Sequence, residues 1–253
     1  MGRRGAIGLI GGLAALAAAA AWLVPPIPQN PAYHRLADSR AWLGIPNALN
    51  VLSNAGFLLF GALGLAFVLG GGSRAFREPG ERWPYVVFFG GLLLPGVGSA
   101  YYHWEPGNAR LAWDRLPLGI TLMGLLAATI AERIGLKAAR WILGPLVAIA
   151  AGSVVYWHWT EQRGAGDLRL YALVQFYPIV AVPLMLWWLA PRYTRGGDLL
   201  AAAATYAAAK APELLDGWIL SATRVVSGHT LKHLLAALAG YWVLRMLRHR
   251  RPA

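Results

Sequence analysis

Eight apolar stretches, most of them near 20 residues long, follow one another along this 253-residue chain with only short connections between them. About 20 consecutive apolar residues let a helix cross the hydrocarbon of a bilayer. In hydrocarbon the backbone must satisfy its own hydrogen bonds, which a helix does. The sequence therefore predicts an all-α membrane protein. The first stretch, from about Gly5 to Val24, is Ala-rich, follows Arg3 and Arg4, and is stopped by Pro25, Pro26 and Pro28. It reads as a signal segment or as an eighth helix. Seven further spans are expected at about 48–70, 84–104, 114–133, 140–159, 169–190, 197–220 and 227–247. The organisation is then an N-terminal segment over 1–25, a seven-transmembrane helix bundle over 35–247 and a basic tail over 248–253.

Composition excludes several classes. Hydrophobic residues make up 57% of the chain and charged residues only 13%, against about 25% charged in soluble domains. Nothing is left over for a separate soluble domain. The net charge of +12 does not mark a nucleic-acid binder, because the basic residues sit in short loops, where orientation rules place them. With the N-terminus inside, fourteen Lys and Arg fall in inner loops (Arg74 among them), seven fall in outer loops, and Lys210 and Lys232 lie within spans. This bias predicts a cytoplasmic C-terminus. Cysteine is absent, which removes disulfides and thiolate metal ligands. Tyr101, Tyr102, Trp104, Tyr156, Trp157 and Trp159 cluster near span ends as an interfacial aromatic belt. His34, His158 and His249 read as loop, belt and tail residues.

Five polar residues near span ends stand out: Ser99, His103, Asp114, His229 and His233. Ser99 and His103 are four apart and share a helix face, as do His229 and His233. His103 is expected in the last turn of its span, Asp114 at the opening of the next, and His229 in the first turn of the last. All three then sit towards the outer face, with Ser99 and His233 about 6 Å deeper by helix rise. Ionisable groups inside a membrane are rare unless they have a use. Three imidazoles with one open position are a catalytic zinc ligand set. A zinc ion lowers the pKa of a water towards ~7. Asp114 could accept its proton, and Ser99 could donate to an oxyanion. Together they describe hydrolysis of an amide or ester buried in lipid. Asp114 could also cap the helix it opens.

A second polar group lies on the 197–220 span. Lys210, Glu213 and Asp216 recur at i,i+3, so neighbours are close enough to pair; they also offer contacts to a substrate headgroup. Gln175 and Tyr177, beside Pro178, offer hydrogen bonds to the same headgroup.

At these residues the chain resembles the alkaline ceramidase family, within the wider superfamily of the adiponectin and progestin receptors, the GPI-remodelling lipid hydrolases and the haemolysin III-like proteins. Three stretches carry it. Gly98-Ser99-Ala100-Tyr101-Tyr102-His103-Trp104 with Trp113-Asp114-Arg115-Leu116-Pro117 matches the family's Ser/His/Asp stretch. Ser227-Gly228-His229-Thr230-Leu231-Lys232-His233 matches its paired-His motif. Asn50-Val51-Leu52-Ser53-Asn54 resembles the polar opening of its first core span. The resemblance implies zinc on His103, His229 and His233, Asp114 acting on the water and Ser99 assisting the oxyanion. It also implies cleavage of ceramide to a sphingoid base and a fatty acid. The other reading is a non-catalytic receptor-like or haemolysin III-like membrane protein with a structural metal; Asp114 and Ser99 beside the three His favour the enzyme. Animal family members resemble one another in a carboxylate-rich calcium site before the first core span. Here residues 36–47 contain only Asp38 as an acid, and calcium prefers several charged oxygens, so calcium is not expected. The Ala-, Gly- and Arg-rich composition suggests a bacterial protein, which puts it in the inner membrane, and the loop charges put its active site towards the outer face.

Overall fold

The structure is a computed structural model describing residues 2–253, apart from the side chains of Ser73 and Arg74. Met1, which opens the N-terminal segment, and the Arg74 side chain in the basic count lie outside the described residues. Helices form almost everywhere, and no strand forms among the described residues. In chain order the helices are α1 (Arg3–Leu23), α2 (Ala48–Leu52), α3 (Ala55–Ala66), α4 (Arg82–Leu93), α5 (Pro95–Trp104), α6 (Asn108–Arg133), α7 (Leu136–Gln162), α8 (Arg169–Trp188), α9 (Gly196–Ala208), α10 (Lys210–Leu214), α11 (Asp216–Thr223) and α12 (Gly228–His249).

Six stretches are long and apolar enough to cross a membrane: Arg3–Leu23, Ala48–Gly71, Pro79–Trp104, Asn108–Arg133, Leu136–Gln162 and Arg169–Trp188. This is the build of an integral membrane protein. The last two expected spans differ. Residues 197–220 form three short helices, with breaks at Ala209 and Leu215. Pro212 has no N–H to give the Ala208 carbonyl, so the ladder is interrupted there. α12 is one helix, but polar at both ends, with His229, Lys232 and His233 at one and Arg245, Arg248 and His249 at the other.

Helix α6 is the hub. It packs on α4, α5, α7 and α8, and 72% of its apolar window is buried, against 11% for α1, which lies chiefly on α8. With lipid outside there is little hydrophobic drive between helices; close packing of small groups holds them. Gly98 on α5 shows this. A Cβ there would overlap the Trp113 carbonyl oxygen of α6. That carbonyl is free because Pro117, four residues on, cannot donate to it. Only glycine lets α5 approach so closely, and the approach sets Ser99 beside the Asp114 turn.

One expectation needs correction. Asp114 does not open its helix. α6 starts at Asn108 with Gly107 as N-cap, so Asp114 lies in the second turn, about 9 Å along the axis. It is therefore not a cap, and its carboxylate faces a cavity. The apolar count missed the first turns because Asn108 and Arg110 are polar.

Candidate metal centre and its cavity

Two helices that are remote in sequence supply the site. His103 comes from the last turn of α5; His229 and His233 come from the first two turns of α12. All three are buried. Their ring centroids stand 4.7, 4.8 and 4.9 Å apart. The Nε2 atoms of His103 and His229 face one another at 3.2 Å. One ligand nitrogen from each residue lies within 4.8 Å of the others.

The start of α12 is fixed by several contacts. Ser227 caps it, accepting from Thr230 N at 3.2 Å. Asp216 accepts from His229 N at 2.7 Å and from Ala37 N at 3.2 Å. Gly228 lies against the Pro212 carbonyl, where a Cβ would collide. Asn50 ties the turn to the loop before α2: its side-chain oxygen accepts from Thr230 at 3.1 Å and its amide donates to Asp38 O at 3.0 Å.

The ring of His233 is oriented from behind. Ser53 lies 2.8 Å from its Nδ1 and donates its own proton to Asn50 O at 3.2 Å. Ser53 then accepts from the ring Nδ1–H, and Nε2 keeps its lone pair for the cluster, as second-shell partners of ligand histidines do. Ser53 reaches this place because the first core span breaks at Ser53–Asn54, between α2 and α3.

The donor set fits a metal ion. About 3.3 Å separates two nitrogens bound at ~2.0–2.1 Å in a tetrahedron, close to the 3.2 Å between His103 and His229. His103 Nδ1 is also buried without a partner. A buried triad of His103, His229 and His233 could hold a metal ion, and imidazole nitrogens suit several transition metals.

A cavity of about 590 Å³ opens on the cluster. His229, His233, Ser99 and Asp114 line it, while His103 stands behind them. Ser99 is buried and Asp114 half-buried. Lys210, Glu213, Asp216 and Gln175 also line it. A narrower apolar slot of about 40 Å³ shares Phe57, Pro95, Leu118, Tyr206 and Ala236 with it.

The five headgroup candidates divide. Lys210 and Glu213 pair at 2.8 Å, as their spacing suggested. Asp216 does not join them; its two oxygens hold the backbone amides of His229 and Ala37. Gln175 donates to Tyr206 at the cavity wall at 3.1 Å. Tyr177 points the other way and donates to Ile10 O on α1 at 2.9 Å. It is two residues, or 200°, from Gln175 on the helix, hence on the opposite face.

Three residues named in the sequence were given no site role there. Lys232 places its ammonium 2.6 Å from Glu213 and 3.4 Å from His229 Nε2. Its signal was present, a lysine between two site histidines. Ser53 and Arg115 also belong here, the second as a wall of the cavity.

The loop before α2 closes this end. Arg40 grips both oxygens of Asp38 at 2.7 Å and donates to Val225 O at 2.6 Å. The guanidinium holds the Asp38 carboxyl below the usual carboxylate range. A carboxylate so engaged is a poor start for a calcium site.

No family model matches the chain, and no curated protein matches it.

Proposed function

We propose that this chain is a zinc-dependent intramembrane lipid amidase that cleaves ceramide-like N-acyl lipids into a sphingoid base and a fatty acid. The observation that supports it most is the meeting, at one cavity, of a buried His cluster with Asp114 and Ser99, beside an apolar slot. His103, His229 and His233 would hold the metal, which supplies a water of lowered pKa and polarises the amide carbonyl. The chain's own residues do the rest. Asp114 forms no ion pair among the described residues and accepts the nucleophile's proton at a carboxylate oxygen. It then returns that proton to the leaving amine. Ser99 Oγ donates to the oxygen on which charge develops. Phe57, Pro95 and Leu118 receive the acyl chain and keep water out. Glu213 offsets the Lys232 charge beside His229.

This reading has seven core spans with α1 as an eighth helix or signal. It puts the histidine end at the outer face of a bacterial inner membrane and the C-terminus in the cytoplasm. The experiment is hydrolysis of fluorescent ceramides by purified protein, before and after chelation. Turnover that chelator abolishes and zinc restores is the expected result. Protein that holds zinc yet cleaves no N-acyl lipid overturns the enzyme in favour of a structural metal.

A further inference from the structure

The Arg115 guanidinium is an anomaly for a buried charge. It is 93% buried on α6 (7% exposed), lines the same cavity as Asp114 and the histidines, and has no carboxylate within ion-pair reach among the described residues. Asp114 cannot serve, because adjacent helix residues do not face each other. Of its five N–H donors, Nη2 reaches Gln29 Oε1 at 2.6 Å, and Nη1 is buried without a partner among the described residues. Its faces are walled by Trp157, Tyr171 and Tyr33, with ring centroids at 4.2, 5.0 and 5.7 Å. That box orients the guanidinium and strips it of water but supplies no anion.

Two other arginines are as buried, and each also keeps one nitrogen without a partner among the described residues, Nη2 of Arg250 and Nε of Arg133. Arg250 meets Glu132 and Arg133 donates to Leu189 O at 2.9 Å, and neither lines the cavity; Arg115 alone of the three does. The other cavity acids are occupied: Glu213 by two lysines, Asp216 by two backbone amides. The cavity wall thus carries an oriented, desolvated cation with no carboxylate partner and one nitrogen, Nη1, that no described group satisfies. Such a group binds an oxyanion well, since charge-assisted Arg bonds to carboxylate or phosphate are among the strong ones.

We propose that Arg115 receives an anionic headgroup, a carboxylate or phosphate, of the N-acyl lipid that enters this cavity. Within that class, lipids with an acidic headgroup are then bound in preference to their neutral counterparts. This rests on the hydrolase reading only in taking the occupant to be an N-acyl lipid; the anion site itself needs no turnover.

The test measures binding to metal-stripped protein in a neutral detergent, so that no metal attracts the anion. The probes are N-lauroylethanolamine, its O-phosphate and N-lauroylglycine, with inorganic phosphate and laurate as separate arms. The wild type should bind both anionic amides at least tenfold tighter than the neutral one. Arg115→Gln should bring that ratio close to one, and Arg115→Lys should retain part of it. Equal affinity for neutral and anionic amides in the wild type overturns the proposal, whether or not the Gln variant folds. So does a preference that survives Arg115→Gln in folded protein. Inorganic phosphate competing as well as the lipid phosphate would make this a free-anion site, and laurate competing as well as N-lauroylglycine a fatty-acid site; either overturns the headgroup assignment. Charge selectivity without hydrolysis by the zinc-loaded protein would sink the amidase and leave the Arg115 site standing.

Discussion

The two ends of the bundle treat buried charge differently. At the tail end the acids meet bases. Glu132 is held by Arg250 and by Tyr85, Glu81 by Tyr193 and by Arg192 at 3.2 Å, and Asp198 by Arg195 at 2.9 Å and Arg245 at 2.7 Å. Arg250 also stacks on Tyr193 at 4.0 Å and donates to Ala75 O at 2.8 Å, pinning the tail to the bundle. At the histidine end Glu213 pairs with Lys210 and Lys232, but Asp114 and Arg115 are in no ion pair among the described residues, two imidazole Nε2 atoms face each other, and a cavity joins them. Closed networks hold helices together. Open ones, kept open at a desolvation cost in a membrane, point to a ligand. The same residue types are paired at one end and partly left unpaired at the other because their neighbours differ.

The largest effect expected concerns the metal. His229→Ala and His233→Ala should take zinc from about one per chain to none, measured by elemental analysis of purified protein. Full occupancy in both variants would erase the contrast between the ends. Next, Glu132→Gln should leave Arg250 buried and unpaired and lower stability by about 3–5 kcal/mol, read by unfolding in detergent. Its zinc content should stay at one. Loss of zinc in folded Glu132→Gln protein would mean that the two ends are not independent.

Asp114→Asn keeps shape and an acceptor but cannot take a proton. It should retain zinc and lose hydrolysis by at least ~10². Ser99→Ala should lose less, since the metal shares the oxyanion charge. Wild-type turnover in Asp114→Asn would remove that residue as the base. The smallest effect concerns the loop clamp. Arg40 depresses the Asp38 pKa, so the clamp's contribution is fully present above the unfolded carboxyl value of ~3.9. It is lost as pH falls through the lower, folded value. Unfolding midpoints should therefore fall below about pH 4, and less steeply in Arg40→Gln. An identical acid limb in both proteins would show that the clamp contributes nothing.

Hydropathy was enough to place six spans, because the bilayer sets their length. Helical spacing put His229 and His233 on one face, and the expected span ends brought His103 to a matching depth. These are local properties, and period and length determine them. Partners across the bundle were not legible. Ser53 and His233 are 180 residues apart, and nothing in either segment announces the hydrogen bond. Breaks at Ser53–Asn54 and Ala209, the second set by Pro212, decided which polar groups turn inward. Tyr177 and Asp216 were the right residue types facing or bonded the wrong way. Arg115 read as one of seven loop cations until α6 proved to begin at Asn108 and carried it indoors. The sequence by itself determined that this chain lies in a membrane and carries imidazoles that could meet. Only the tertiary structure decided which polar groups are paired and which are left open, because pairing depends on helix rotation and close approach rather than on period.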